Sequence, residues 1–477
     1  MSFRKINILL SSSFAALIGL TSCSKSFIER NPVDPVTEPE AITNASGMQD
    51  ALVGVYASYR ATSFYGEDLP IIGDVSADNS FIAASNSGYY LTPYQYTFVN
   101  NDANYTEMWK QGYNIILNAN KIINSSPTGD AETIGEIRSQ AYALRALAYF
   151  KLINIYARPY TDNPSDSGIS ITLTDSSAAK PSRNTIKQVY TQIISDYKAA
   201  LDSAPAYDNS VTLSQYAIEG LLSKAYLYMG DYTNALTQAE DVINNSGFSL
   251  VPSSSYASFW SNAAVQQNQQ EVMFEIDANS INNNGYDDFA GQYANGYSQI
   301  FCDSALYASY SSTDVRRSVL ESDTTLVAGK PRIVVHVNKF PNAANADRDN
   351  IKVIRLAEVY LIAAEAAYRT GDQATALQYL NALAQTRDPQ LTAYASSGTQ
   401  LLTDIINERR KELAFEGDRL YDLNRLQQTL YRNGTPYKGL PLTSQYITIA
   451  YDFYKRIAPI PLDELNANSN MTQNPGY

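Results

Sequence analysis

Two segments far apart in the chain follow the same plan, and that plan limits the fold. One is "GLLSKAYLYMGDYTNALTQAEDVINN", residues 220–245; the other is "LIAAEAAYRTGDQATALQYLNALAQT", residues 361–386. Each sets Gly-Asp between two helical patterns, Gly230-Asp231 and Gly371-Asp372. Each also places a small residue after the turn, Ala235 and Ala376. A glycine just past a helix end takes the positive φ that reverses the chain. Small residues then let the two helices approach closely.

This is the tetratricopeptide-like helix–turn–helix pattern. The two copies are far apart, so a tidy solenoid is not expected, and large insertions must separate them. Other helical stretches agree. "ASGMQDALVGVYASYRAT" puts Leu52, Val55, Tyr56 and Tyr59 on one face. "NYTEMWKQGYNIILNANKIINSS" spaces Met108 or Trp109, Tyr113, Ile116, Leu117, Asn120 and Ile123 or Asn124 by three and four. "EIRSQAYALRALAYFKLINIYA" is long and rich in Ala and Leu, and Pro159 and Pro164 forbid its continuation. The expected fold class is therefore mainly all-α, with tetratricopeptide-like helix pairs, large irregular loop insertions and a few short strands. The insertions are residues 62–102, 157–184, 248–350 and 429–460. Within them "EVMFEIDAN" and "PRIVVHVNKF" read as short strands.

Composition removes several function classes. Net charge is −13, so a nucleic-acid partner is not expected, because phosphates need a basic surface. The single histidine, His336, lies in a strand-like run and leaves no histidine for a metal cluster or a Ser-His-Asp triad. There are two cysteines, Cys23 and Cys302, too few for a disulfide framework; Cys302 reads as a small buried hydrophobe. Tyrosine is abundant, 37 against 15 Phe and 2 Trp. Most of these rings sit at helical spacing and belong to packing, but a ring with a polar tip also suits half-wet ligand surfaces.

The N-terminus, "MSFRKINILLSSSFAALIGLTSCSKSF", has Arg4 and Lys5 ahead of an apolar and small-residue run from Ile6 to Leu20. About 15 residues is the length of a signal-peptide core and is short for a membrane span. Leu20-Thr21-Ser22-Cys23 then looks like a bacterial lipobox, in which the cysteine is acylated and becomes the new N-terminus. Residues 1–22 are read as a lipoprotein signal peptide, 23–40 as the lipidated N-terminus and a Pro-rich tether, and 41–477 as one domain with tetratricopeptide-like helices. No later stretch reaches 18 consecutive apolar residues, so the chain is expected to be anchored to a membrane rather than to span one.

Two C-terminal stretches are distinctive. In "INERRKELAFEGDRLYDLNR", residues 406–425, two helices meet at Gly417. Glu408, Arg409, Glu412 and Glu416 lie three or four apart, as do Arg419, Asp422 and Arg425, with apolar side chains interleaved. This mixture predicts partly buried Arg–carboxylate pairs that dock the two helices, which specify geometry more than they stabilise. It disfavours Glu412 or Glu416 as a general acid or base, since these side chains read as packed. The second stretch, "KRIAPIPLDELNANSNMTQNPGY", ends at Tyr477.

Together these stretches resemble the SusD/RagB family of nutrient-binding outer-membrane lipoproteins. The family pattern is met by Glu408, Arg409, Glu412, Leu413, Phe415, Glu416, Gly417, Arg419, Asp422, Leu423 and Arg425. It is met again by Ile460, Pro461, Gln473, Asn474, Pro475, Gly476 and Tyr477. The lipobox, "SFIERNP", "LAEVYLIAAEAAYRTGD" and "EVMFEI" fit as well. The segments "ALAQTRDP" and "IYARPYTDNP" depart from it. The resemblance implies a non-enzymatic protein on the outer-membrane surface, lipid-anchored at Cys23. Such a protein captures oligosaccharides and delivers them to a SusC-like TonB-dependent barrel. Peptide ligands in the same role, a surface glycoside hydrolase and a structural or adhesion lipoprotein remain alternatives.

Ligand residues have no fixed motif in such a family, so candidates come from two loops that mix Gly, Asn and Tyr. "GDVSADNSFIAASNSGYYLTPYQY" offers Asp78, Asn79, Tyr89, Tyr90 and Tyr94. "NNNGYDDFAGQYANGYSQ" offers Tyr286, Asp287, Tyr293 and Tyr297. No cofactor is expected. "NNNGYDDF" has oxygen ligands for a structural calcium ion but lacks the spacing of a calcium loop.

Overall fold

The structure, a computed structural model, describes residues 42–477 apart from 177, 178 and 294. The expected leader, the tether and Cys23 lie outside the described residues. Helix α1 (Ala45–Tyr59) is capped by Asn44, whose side chain accepts from the Gly47 amide, and it buries Met48, Leu52, Val55 and Tyr59. A tight turn then leads to α2 (Asp68–Val75), which is buried on every side, and to the short α3 (Leu91–Gln95). The long helices follow: α4 (Ala103–Asn124), α5 (Ala131–Tyr156), α6 (Ile186–Leu201), α7 (Gln215–Met229) and α8 (Tyr232–Asn245). After a long insertion come α9 (Leu356–Arg369), α10 (Gln373–Arg387), α11 (Gly398–Glu412) and α12 (Arg419–Arg425).

From α4 to α10 each helix packs on the next, including α8 on α9 across the insertion. The two sequence-distant pairs are thus neighbours in one continuous stack, more regular than their separation suggested. Gly230 and Gly371 adopt φ of +76° and +96° at the turns, and the Asp after each caps the following helix. Ala235 and Ala376 are fully buried. In α4 the buried face differs slightly from the expected one. It runs through Tyr105, Met108, Trp109, Gly112, Ile115, Ile116 and Ala119, while Tyr113 and Leu117 are only half-buried. Gly112 lies on this face, where a Cβ would meet the Leu152 side chain of α5 at 2.7 Å.

The insertions hold the strands. β1 (Ser80–Ile82), β3 (Ile300–Cys302), β5 (Lys330–Val337) and β4 (Leu320–Val327) form one sheet in that order. β2 (Val272–Ile276) pairs with β6 (Ile351–Arg355), and Leu430–Tyr431 pairs with Thr448–Ile449. The expected strands "EVMFEI" and "PRIVVHV" are β2 and β5; β1, β3 and β4 lie in stretches expected to be irregular. His336 packs edge-on against Phe301, a structural position. Cys302 is buried, and burial pushes its thiol pKa up. Tyrosines such as Tyr59, Tyr149, Tyr156, Tyr190 and Tyr197 fill the core.

The C-terminal charges form a buried network that extends far beyond the two docked helices. Glu412 accepts from Arg316 at 3.2 Å, Arg355 at 2.9 Å and Arg387 at 3.0 Å. Burial pushes its carboxyl pKa up, but the guanidiniums of Arg387, Arg355 and Arg316 outweigh this and hold it well below the usual range. Arg355 also bonds Glu271 and Glu416, and Arg387 bonds Glu271. Glu408 pairs with Arg316 and Lys411. Arg409 joins Glu358 of α9 to Asp422, and Arg425 joins Asp422 to Glu365. Arg419 makes a two-pronged bond to Asp78 at 2.7 and 2.9 Å. Removing one member of such a network strands a buried charge, at about 3–5 kcal/mol.

Gly417 and α2 make the closest contact in this region. Gly417 has φ +84°, and a Cβ there would lie 2.4 Å from the Pro70 Cα. Its amide donates to Asp74 at 2.8 Å. At the start of α2, Glu67 is buried with no cation partner among the described residues. Burial, then the neighbouring Asp68 charge, push its pKa up to about 8. Burial likewise raises Asp68 to about 6 and Asp74 to about 7.

Two outcomes follow for stability. Gly417→Ala should cost about 2–4 kcal/mol, from left-handed strain and overpacking. Gly54→Ala, on the exposed face of α1 with nothing within 4 Å, should be neutral or stabilising. Denaturant melts of the two variants check the contrast. The folded chain also holds protons on Glu67, Asp68 and Asp74 that the unfolded chain releases near pH 4. That stabilisation is complete below the unfolded pKa and is lost as pH rises through the folded values. Glu67→Gln, which stays neutral, should therefore gain Tm over the parent at pH 9 relative to pH 5.

Candidate functional site

β1 and β3 are antiparallel, with Ser80 opposite Cys302, Phe81 opposite Phe301 and Ile82 opposite Ile300. This register aligns the loop leaving β1 with the loop entering β3. The Ala83 amide donates to the Gln299 carbonyl oxygen at 2.8 Å, and the Ser87 amide donates to Gln299 Oε1 at 2.7 Å. The two candidate loops are therefore held side by side.

At their outer ends three tyrosines meet. Tyr89, Tyr286 and Tyr297 are 42%, 48% and 39% exposed. The Tyr89 and Tyr297 rings lie 5.6 Å apart between centroids, inclined by 22°. Tyr286 continues the strip, 6.0 Å from Tyr297 and inclined by 49°. Tyr297 Oη donates to Asp287 Oδ1 at 2.9 Å, and that bond to the carboxylate pushes the phenol pKa up to about 12. The Arg348 guanidinium sits over the Tyr286 ring at 5.4 Å. The arrangement is an open aromatic strip, with an exposed carboxylate and a guanidinium at one end.

The other five candidates point inward, and their local bonds explain why. Tyr90 has a positive φ of +57°, and its ring lies beside that of Tyr89, 6.5 Å between centroids, but is buried where Tyr89 is exposed. Its Oη donates to Asp68 Oδ1 at 2.8 Å. Tyr94 is buried under the Arg432 guanidinium, with Oη bonded to the Leu440 carbonyl oxygen. Tyr293 is buried among Phe289, Phe340 and Phe415. Asp78 is the partner of Arg419 and Arg410, and Asn79 accepts from Arg410 at 2.8 Å. All five are bonded or packed within the protein, four of them buried and Asp78 half-buried.

Sequence reading missed two supports of the strip. Glu67 Oε1 accepts from Gln292 Nε2 at 2.5 Å, tying α2 to the second loop. Its signal was a Glu-Asp pair inside the apolar run "FYGEDLPIIGDV". Arg348, between two aspartates, gave no signal. Among the described residues no group of three or more His, Cys, Asp or Glu side chains is placed to hold a metal ion. A separate cavity of about 340 Å³ lies between Trp109, Tyr113, Leu117, Thr172, Pro181 and Met471, and no candidate residue lines it. No helix among the described residues is long and apolar enough to cross a membrane.

Comparison with known proteins agrees with the fold and with the C-terminal motif. The model of the SusD family matches residues 321–477. A second model, described as starch-binding associating with outer membrane, matches residues 27–227. The SusD-like protein P2 of Formosa agariphila is 27% identical over 97% of this chain and 98% of its own. The starch-binding protein SusD of Bacteroides thetaiotaomicron is 32% identical over 28% of this chain and 23% of its own. A solved Bacteroides vulgatus structure has a TM-score of 0.84 at 32% identity, covering 92% of this chain and 99% of its own. A SusD superfamily structure from Bacteroides thetaiotaomicron has a TM-score of 0.81 at 28% identity, covering 91% and 100%. The chain belongs to the SusD/RagB family.

Proposed function

We propose that this chain binds oligosaccharides on the Tyr89–Tyr297–Tyr286 strip. In this reading a lipid on Cys23 holds it at the outer-membrane surface, where it passes its ligand to a SusC-like TonB-dependent barrel. The observation that carries the reading is the strip itself: three exposed rings in a row, beside Asp287 and Arg348. Pyranose rings have an apolar face that packs on an aromatic ring, and their hydroxyls need a few fixed acceptors and donors. Asp287 can accept from hydroxyls, and Arg348, whose Nε and Nη1 are buried, can donate to them through Nη2 alone. The names of the matching family models and of the starch-binding relative support carbohydrate as the ligand class.

Binding needs no bond to be made or broken. Glu412 and Glu416, the closely spaced carboxylates of the motif, are sealed against guanidiniums and are not poised as an acid–base pair. The Trp109 cavity suits an oligosaccharide less well, because Trp109 is only 3% exposed and offers no open ring face.

The test is calorimetric titration of the full-length chain in detergent with a panel of oligosaccharides and short peptides. At least one oligosaccharide should bind. Tyr297→Ala should weaken it about tenfold or more, as truncation of a central aromatic anchor does, with the melting temperature little changed. Binding only to peptides, unchanged affinity in Tyr89→Ala and Tyr297→Ala, or release of reducing sugar would each overturn the proposal.

A further inference from the structure

Two buried arginines and a half-buried lysine, none with a carboxylate partner among the described residues, collect where the segment around Tyr96 meets residues 430–458. Arg456 is 1% exposed. Its Nε donates to Asn424 Oδ1 at 2.9 Å, and its Nη1 donates to the carbonyl oxygens of Gln428 and Ile449 at 3.2 and 3.5 Å. Its Nη2 is buried with no acceptor among the described residues. Arg432, 8% exposed, donates through Nη2 to the Tyr94 carbonyl oxygen at 2.7 Å, and its Nη1 also lacks an acceptor among the described residues. Its guanidinium lies 5.7 Å from the Tyr96 ring. Among the described residues Lys455 Nζ donates to the carbonyl oxygens of Tyr96 and Phe98, at 3.0 and 2.8 Å, and to no carboxylate.

None of these three cations is paired with a carboxylate among the described residues. The acid that acts on both Arg432 and Arg456 is Asp78. Its oxygens already accept from Arg419 and Arg410. Arg158, which also faces Arg456, is paired with Asp162 and adds no free negative charge. Burial lowers the pKa of Arg432, Arg456 and Lys455, the direction expected for cations that have lost water without gaining a counter-charge. A buried unpaired charge costs several kcal/mol. By contrast Arg316, Arg355, Arg387 and Arg425, equally buried, are each matched by carboxylates.

A cavity adjoins the cluster. Arg456, Lys455, Tyr96, Ser76, Tyr105 and Tyr421 are among its lining residues, and it leaves about 10 Å³ for the centre of a water-sized particle. That is room for one small, compact species. Water can satisfy a donor there but cannot offset the charge.

We propose that this cavity binds one small monovalent inorganic anion, of the halide class, between Arg456 and Lys455. The anion links the Tyr96–Phe98 backbone, bonded by Lys455, to the Ile449–Arg456 segment. It thereby fastens the base of the first loop to the C-terminal part of the fold. The site is distinct from the tyrosine strip, and its test needs no oligosaccharide.

Crystals of the full-length chain soaked in sodium bromide, with data collected at the bromine edge, test the site directly. An anomalous peak within hydrogen-bonding reach of Arg456 Nη2 and Lys455 Nζ is expected. In solution, Tm should be higher in sodium chloride than in sodium gluconate at equal ionic strength. That difference should vanish in Lys455→Met and in Arg456→Gln; Lys455→Met, at a half-buried position, covers the case in which the arginine variant fails to fold. No peak in the cavity while bromide is found elsewhere would overturn the proposal. So would a peak without any chloride-dependent Tm gain, which marks binding at crystal concentration only.

Discussion

Glu412 is the point on which the structure turns. One buried carboxylate is shared by Arg316, Arg355 and Arg387, which come from the segment before β4, the end of β6 and the end of α10. Through Arg355 and Arg387 it reaches Glu271 at the start of β2. Chain segments more than a hundred residues apart are thus fixed to one helix end. Apolar packing would hold them together without fixing their angles. Ion pairs with matched geometry fix the angles, and a buried pair is better evidence of specification than of net stability. The same helix end carries Arg409 and leads into Gly417, Arg419 and Arg425, so one short stretch docks α9, α2 and the loop after α2.

The exposed strip depends on that frame. Phe415 packs against the buried Tyr293 ring of the second loop, and Lys339 bonds Glu416. Arg419 fixes Asp78 just before β1. The β1–β3 register then decides which residues of the two loops meet. Glu67 ties α2 to Gln292, five residues before Tyr297. A rigid helical stack thus carries two loops whose tips present Tyr89, Tyr286 and Tyr297, a common division between scaffold and function.

The helix pairs were legible because their signals are local: periodicity, a glycine at the turn and small residues after it. The charged stretch was legible as ion pairing because its spacing is helical. Its partners were not, since Arg316, Arg355 and Glu271 reach it only through the tertiary fold. Arg387 sits in "ALAQTRDP", a segment that departs from the family pattern, yet it bonds the central glutamate. The candidate loops were found by composition, but composition cannot separate Tyr89 from Tyr90. The two rings lie side by side, and what separates them is that Tyr90 is buried with its Oη bonded to Asp68 while Tyr89 stays exposed. Asp78 and Asn79 looked like surface polar groups until Arg410 and Arg419 arrived from more than three hundred residues away. The same limit applies to Gly112, whose close contact with Leu152 is set by the tertiary fold.

The most direct measurement is a crystal structure of the chain soaked with the tightest oligosaccharide from the titration panel. The account predicts sugar rings laid across Tyr89, Tyr297 and Tyr286, with hydroxyls on Asp287 and Arg348. Sugar seated instead in the Trp109–Tyr113 cavity, with the three tyrosines bare, would contradict it.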